Sequence, residues 1–396
     1  MADVTLRQSE QNIPFWRDTR KIAILLQVMF VILVVAVIAY LFNNMMEGLA
    51  RSNLRISTAF LSQSAGIAIG EGPAYTSTDT WARAFYVGIA NTLRVAVSGI
   101  ILATLLGLVL GVSRLSNNWL LRNVAYVYTE IVRNTPLLLQ LLFWFTLTST
   151  FPRSADAINV GPFAALSNRG VFLAWPRQSE TFGTWLIWLG AALLVGAGVY
   201  YWRRRELIRG DRPGAVLPWA FLASLLVAAT GFVVTVLISE APVYLDFPVL
   251  DRFNFQGGIA LTAPFAALLT GLVVYTAAFI GEIVRAGIQS VSKGQREAAK
   301  ALGLSDRQAM RLVILPQAMR VVVPPLTNQY LNLTKNSSLA IAIAYPDLFF
   351  VGATVINQTG QTVVVFAMIM ATYLSFSLLT SLLMNWYNRR IQLVER

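Results

Sequence analysis

The sequence contains no cysteine and no histidine. That excludes thiol nucleophiles, disulfide staples and Cys or His metal sites, along with the usual near-neutral general base. Charge is also scarce: 13% of the 396 residues are Asp, Glu, Lys or Arg, while 56% are hydrophobic. So few charges cannot screen that much apolar surface from water. Mean hydropathy is +0.61, which implies a bilayer as solvent. The charge present is one-sided, +12 overall. A basic balance suits nucleic acid, but here Arg and Lys flank apolar runs, which is the membrane pattern.

A helix needs about 20 apolar residues to cross roughly 30 Å of hydrocarbon. Eight stretches qualify: 22–42, 86–112, 123–148, 184–202, 217–238, 264–288, 321–345 and 361–386. The expected fold is an all-α integral membrane protein of about eight transmembrane helices. The first run, Ile22 to Phe42, is too long for a signal-peptide core and lacks a small-residue cleavage site after it, so it is expected as a retained span. The third and seventh runs are interrupted, by Glu130 and Arg133, and by Pro324, Pro325 and Lys335. A bundle tolerates such breaks where they face protein or water. The stretches 43–84 and 149–183 are expected as outer loops, the first with partial helix. The second carries Pro152, Pro162 and Pro176.

With both termini placed in the cytoplasm, twenty of the 31 Lys and Arg residues fall on the inner side and seven on the outer side. Arg94, Arg133, Arg285 and Lys335 lie within spans. That asymmetry is the positive-inside rule obeyed.

The longest inner segment, Val291 to Arg320, reads VSKGQREAAKALGLSDRQAMRLVILPQAMR. Gln295 to Leu302 is rich in helix formers. Gly303 can take the left-handed backbone that ends a helix. Ser305 with Gln308 three residues on predicts an N-capped second helix, and Pro316 restarts the chain toward the next span. A helix, a turn and a helix at the membrane surface suit either a basic element resting on anionic lipid or a protein-docking loop.

The spacing separates those readings. Glu297-Ala298-Ala299, Gly303 and Val313-Ile314-Leu315-Pro316 resemble the EAA signature of the coupling loop in permeases of ATP-binding-cassette importers, with Val for Ile as the one departure. The resemblance implies that Glu297, Ala298, Ala299, Gly303, Leu315 and Pro316 dock on a cytosolic ATPase dimer. It also implies a non-catalytic chain with no cofactor of its own, ATP and Mg being bound by the partner. No GxxxxGK[ST] loop occurs here.

Four further stretches resemble the polar amino-acid branch of that family: 88–111, 128–145, 277–305 and 322–343. The layout resembles a MetI-like importer permease core with an extra N-terminal span and a two-span insertion, as in the Q-type permease of general L-amino acid importers. It implies an organisation of 1–84 (N-terminus, first span, outer segment), 85–150 (first part of the core), 151–262 (insertion) and 263–396 (second part of the core, with the loop at 291–320). It further implies a second, different permease chain, a periplasmic amino-acid-binding protein, and a place in the bacterial inner membrane.

Charges inside spans mark function or helix anchoring. Glu130 with Arg133, and Glu282 with Arg285, are three apart and share a helix face. Each pair either lines a pathway or gate, or neutralises itself near the inner interface. Asn328 and the run Asn332, Lys335, Asn336, Ser337 and Ser338 cannot face lipid. They line either a translocation path or a hydrogen-bonded packing seam. Pro324-Pro325 is expected to bend or unwind its helix. Arg94 is expected to snorkel toward the outer interface. The competing class is an ion-coupled secondary transporter, which calls for inverted repeats and acidic ion ligands. A membrane enzyme lacks the side chains it would need.

Overall fold

The computed structural model describes residues 19–51, 56–210, 214–252 and 254–391. The N-terminal segment before Thr19, including Arg7 and Arg17, lies outside the described residues, as do Arg55, Arg212 and Arg396. Twelve α-helices order these residues, with short strands between some of them. They are α1 (Thr19–Arg51), α2 (Trp81–Arg114), α3 (Trp119–Arg133), α4 (Leu137–Ser149), α5 (Phe182–Arg209), α6 (Leu217–Ile238), α7 (Ala263–Gln289), α8 (Lys293–Ala301), α9 (Asp306–Ala309), α10 (Leu315–Asn336), α11 (Leu348–Thr359) and α12 (Thr362–Ile391). Among the described residues seven helical runs are long and apolar enough to cross a membrane: α1, α2, α5, α6, α7, the run Asp306–Ile343 and α12.

The expected third span is not continuous. It breaks at Asn134-Thr135-Pro136 into α3 and α4, neither of which is long enough to cross alone. Proline has no N–H to give and crowds the preceding turn. Gln140 repairs the break, its amide donating to the Val132 carbonyl at 2.9 Å and the Thr135 carbonyl at 3.0 Å. The seventh run departs the other way. Pro324 and Pro325 lie inside an unbroken α10, so the expected unwinding does not occur. The helix instead tightens to 3-10 form over Ser337–Ile343 and stops at Ala344, whose φ of 55° is left-handed. Asp347 then caps α11, accepting from the Phe350 N–H at 2.8 Å. That twelve-residue helix was not expected.

The core is α2 packed on α7, with α4, α10 and α11 around them. Close approach depends on small residues. A Cβ on Gly107 would come within 2.5 Å of Ile280 Cγ2 and 3.1 Å of the Ala277 carbonyl, and one on Gly111 within 2.8 Å of the Gly281 carbonyl. This is small-residue packing at four-residue spacing, which lets helix backbones approach without a hydrophobic force between them. Gly107→Val is expected to cost about 1–3 kcal/mol through overpacking. Thermal unfolding in detergent should show a midpoint several degrees lower.

The core's partners are arranged unevenly. α5 and α6 pack mainly on each other, through Gly231 against Trp188 and a Trp185 indole N–H donating to the Ala228 carbonyl at 3.2 Å. Those tryptophans therefore hold a helix seam. Among the described residues of α1 none is buried against this chain.

The stretch expected as outer loop is a layer of short antiparallel strands. β1 (Ile158–Val160), β2 (Ala164–Ser167), β3 (Gly170–Leu173) and β4 (Trp175–Gln178) precede α5. β5 (Val243–Asp246), β6 (Val249–Asp251), β7 (Asn254–Gln256) and β8 (Ile259–Thr262) follow α6. One sheet runs β1-β2-β3-β8, and two ribbons pair β4 with β5 and β6 with β7. The layer lies at the start of α7, and α8 follows its end. A helix of 27 residues separates them by about 40 Å.

Candidate functional site: coupling loop, charge cluster and polar stripe

The segment 291–320 folds as its residue types dictate. Leu302 ends α8, the Gly303 N–H bonds back to the Lys300 carbonyl at 2.9 Å, and the Leu304 N–H to the Ala299 carbonyl at 3.1 Å. That paired pattern is a Schellman turn, and it requires the left-handed residue supplied by Gly303 at φ 77°. Ser305 and Gln308 form a reciprocal capping box over α9. A π turn, Met310–Ile314, leads into α10, with Pro316 in the first helical turn, where no N–H is needed. The π turn was not legible in the sequence.

The loop packs through one side and presents the other. Ala299, Ala309 and Ile314 are buried, while Glu297, Ala298, Gly303, Leu315 and Pro316 are exposed. Two leucines missed in the sequence protrude: Leu302 is 80% exposed at the turn and Leu312 61% exposed on the π turn. Their position at the tip of a surface loop was the available signal. Large apolar side chains therefore stand exposed beside the Glu297 carboxylate, a pattern suited to protein contact.

At the adjoining end of α2 and α7 one carboxylate collects several cations. Arg285 donates to Glu282 through two nitrogens, at 2.5 and 3.1 Å, and Arg114 reaches the same carboxylate from α2. Gln289 accepts from the third nitrogen of Arg285. Arg133 adds its field to Glu282 from α3 while its guanidinium lies over the Phe279 ring at 5.3 Å. Glu282 and Arg285 therefore pair as their spacing suggests. Glu130 and Arg133 do not pair, and Glu130 instead takes the Asn134 side-chain amide at 3.5 Å. Glu282→Gln would unpair two guanidiniums, of which Arg114 ties α2 to α7. Glu282 is 24% exposed, so the loss falls below that of a fully buried pair, at about 1–3 kcal/mol. The readout is a lower thermal midpoint that extra salt does not restore.

The polar run of α10 divides by face. Asn328, Asn332 and Lys335 are exposed and stand at four- and three-residue steps, forming one stripe. Val322, Leu326 and Leu333 face the other way, into the core. Ser337 is buried and donates to the Thr334 carbonyl at 2.8 Å. Asn336 and Ser338 are half-buried. Lys335 and Ser338 edge a cavity of about 580 Å³ otherwise lined by apolar and aromatic residues, among them Phe349, Phe366 and Tyr373. Among the described residues Lys335 has no ion-pair partner.

The far end of α2 carries a cluster the sequence did not disclose. Arg94 does not snorkel freely. It pairs with Glu71 of the 56–80 loop at 2.9 Å and lies over the Phe265 ring at 4.1 Å. Thr262, the cap of α7, donates its hydroxyl to the same carboxylate, and Asn91 donates to the Glu71 and Pro346 carbonyls at 3.1 and 2.9 Å. Burial pushes the Glu71 carboxyl above the usual carboxylate range, and the Thr262 and Arg94 contacts offset this only in part. These contacts join segments far apart in sequence, so no local pattern announced them.

A bundle with lipid-facing apolar helices, one unpartnered polar stripe and a structured surface loop defines a membrane transport subunit. Comparison with known proteins makes the class specific. The family model described as "Binding-protein-dependent transport system inner membrane component" matches residues 214–393. The chain is 43% identical to the putative amino-acid ABC transporter permease protein YhdX of Escherichia coli (strain K12), with 94% of each chain covered. It is 42% identical to the general L-amino acid transport system permease protein AapQ of Rhizobium johnstonii, over 96% of this chain and 94% of that one. A solved structure described as an amino acid ABC transporter with histidines aligns at 21% identity and a TM-score of 0.45, covering 78% of this chain and 95% of that chain. The protein belongs to the family of binding-protein-dependent transport system inner membrane components, the permease subunits of ATP-binding-cassette importers.

Proposed function

We propose that this chain is the conduit and coupling lever of an importer for polar or general L-amino acids, working from periplasm to cytoplasm by alternating access. The substrate class rests on the amino-acid names of relatives aligned along nearly the whole chain. Both termini lie in the cytoplasm of a cell whose inner membrane holds the chain, by the asymmetry of Lys and Arg. A partner ATPase dimer binds ATP and Mg, and this chain holds no cofactor and performs no hydrolysis. A periplasmic binding protein delivers substrate to the outer layer, and a second, different permease chain completes the membrane unit.

The observation that carries the reading is the pairing of the exposed coupling loop at one end of α7 with the α10 stripe that continues from it. Nothing but the π turn and α10 separates Leu312 from Asn328, so a push on the loop is delivered along one rod. A lipid-facing Lys335 would cost roughly 2.5–3.5 kcal/mol, so the stripe faces water or the second permease. Asn amides and an ammonium offer donors and acceptors for a zwitterion moving past. Glu282 with its arginines closes the inner end of α2 and α7, below the stripe, as a structural clamp.

The absence of native cysteine makes the test clean. Single cysteines at Glu297 or Ala298 are expected to cross-link to the ATPase in the assembled complex, and one in β1 is not. Cross-linking from β1, or none from either loop position, contradicts the docking assignment.

A further inference from the structure

The outer layer holds a cationic cluster that neither the loop nor the stripe uses. Arg153, Arg169 and Arg252 line one cavity of about 410 Å³ together with Ser154, Ala155 and Asn168. Three turns bring them together: the 3-10 turn Ser154–Asp156, the β2–β3 hairpin that soon follows it and the β6–β7 hairpin about 80 residues further on. The first two are tied by the Asn168 N–H donating to the Pro152 carbonyl at 2.9 Å.

The cluster is uncompensated. No carboxylate lines the cavity, and among the described residues none of the three arginines has an ion-pair partner. The same layer neutralises a different arginine, Arg177, through Asp246 at 2.8 Å. Ser154 is only 5% exposed, and its hydroxyl finds no hydrogen-bond partner. Buried hydroxyls are normally satisfied, so this one is available to a solute in the cavity. Arg252 has a φ of 50° at the head of the β6–β7 hairpin. That left-handed position ordinarily takes Asn, Asp or Gly, so backbone geometry gives no reason for an arginine there.

We propose that this cavity binds a small oxyanion, a carboxylate or a phosphate, on the face of the protein opposite the coupling loop. Guanidinium forks match such ions with paired N–H donors, and like-charged forks gathered without a counter-ion gain most from one. The volume suits a small solute rather than a protein strand. The three arginines are exposed, so the solute has access.

The test is direct binding to the purified full chain in discs of neutral phosphatidylcholine, by calorimetry. Inorganic phosphate and glutarate are titrated separately, and no transport is needed, so the result is independent of the importer reading. Saturable one-to-one binding of at least one anion is expected, with the stronger ligand distinguishing phosphate from carboxylate. Arg169→Gln and Arg252→Gln should each weaken it by roughly tenfold or more, and Ser154→Ala severalfold. A second measurement needs no variant: the bound anion should slow phenylglyoxal modification of Arg153, Arg169 and Arg252 and leave Arg177 unaffected. Absence of saturable binding by either anion overturns the proposal. So does binding that survives removal of all three guanidiniums, or unchanged arginine reactivity.

Discussion

Lys335→Met is expected to lower ATP-driven uptake at least tenfold while the ATPase remains bound to the complex. The substitution keeps length and removes charge. Among the described residues Lys335 has no carboxylate partner to strand, so the fold loses little. Asn332 and Asn328 remain one and two turns away, and the stripe keeps its amides. What disappears is the ammonium that, on the proposed path, a substrate carboxylate would meet. A loss of 1.4 kcal/mol at that step is a factor of ten, well within the value of one charge-assisted contact. Co-purification of the ATPase with an unchanged thermal midpoint shows that the defect lies in passage. Uptake at the normal rate would place Lys335 in a packing seam.

Gly303→Val is expected to uncouple the loop. A Cβ at Gly303 meets no atom within 4 Å, so crowding contributes nothing. The cost is entirely in the backbone: a left-handed β-branched residue is disfavoured by about 1–3 kcal/mol. The Schellman turn has no other glycine to take its place. The loop is expected to shift the exposed Leu302 and Glu297 out of register and weaken ATPase binding by roughly tenfold or more. Membrane insertion is untouched, because every span lies outside the turn. Gly303→Asn is the companion variant. Asparagine tolerates the left-handed region, so it should restore most of the binding. Equal defects in both variants would mean that the side chain at the turn, and not its backbone, governs docking.

How much of this was legible depended on range. Long apolar runs mark spans because a bilayer imposes one length on every helix, so seven of the eight expected runs reappear as continuous helices. The loop was legible almost residue by residue, since Gly303, Ser305 and Gln308 act on their immediate neighbours. The broken third span had its signal in Asn134-Thr135-Pro136, outweighed by the apolar residues on both sides. The strands of the outer layer had none. They are three or four residues long, and β3 pairs with β8 across two intervening helices. Proline in that stretch reads as loop when pairing is unseen. α11 was hidden because Ala344, a residue with no turn preference, ends the helix before it. The Glu71–Arg94 pair and the Arg153 cavity are products of tertiary closure, which a local reading of the chain does not reach.

Gradient-driven and ATP-driven transport can be separated in proteoliposomes. The permease pair is reconstituted with the ATPase and the binding protein present or omitted, and labelled amino-acid uptake is followed under an imposed proton or sodium gradient, or with ATP and Mg on the ATPase side. Uptake is expected only with ATP and all components present, and no gradient should substitute for them. Gradient-driven accumulation by the permease without its ATPase would contradict an externally powered conduit and make the chain a secondary transporter.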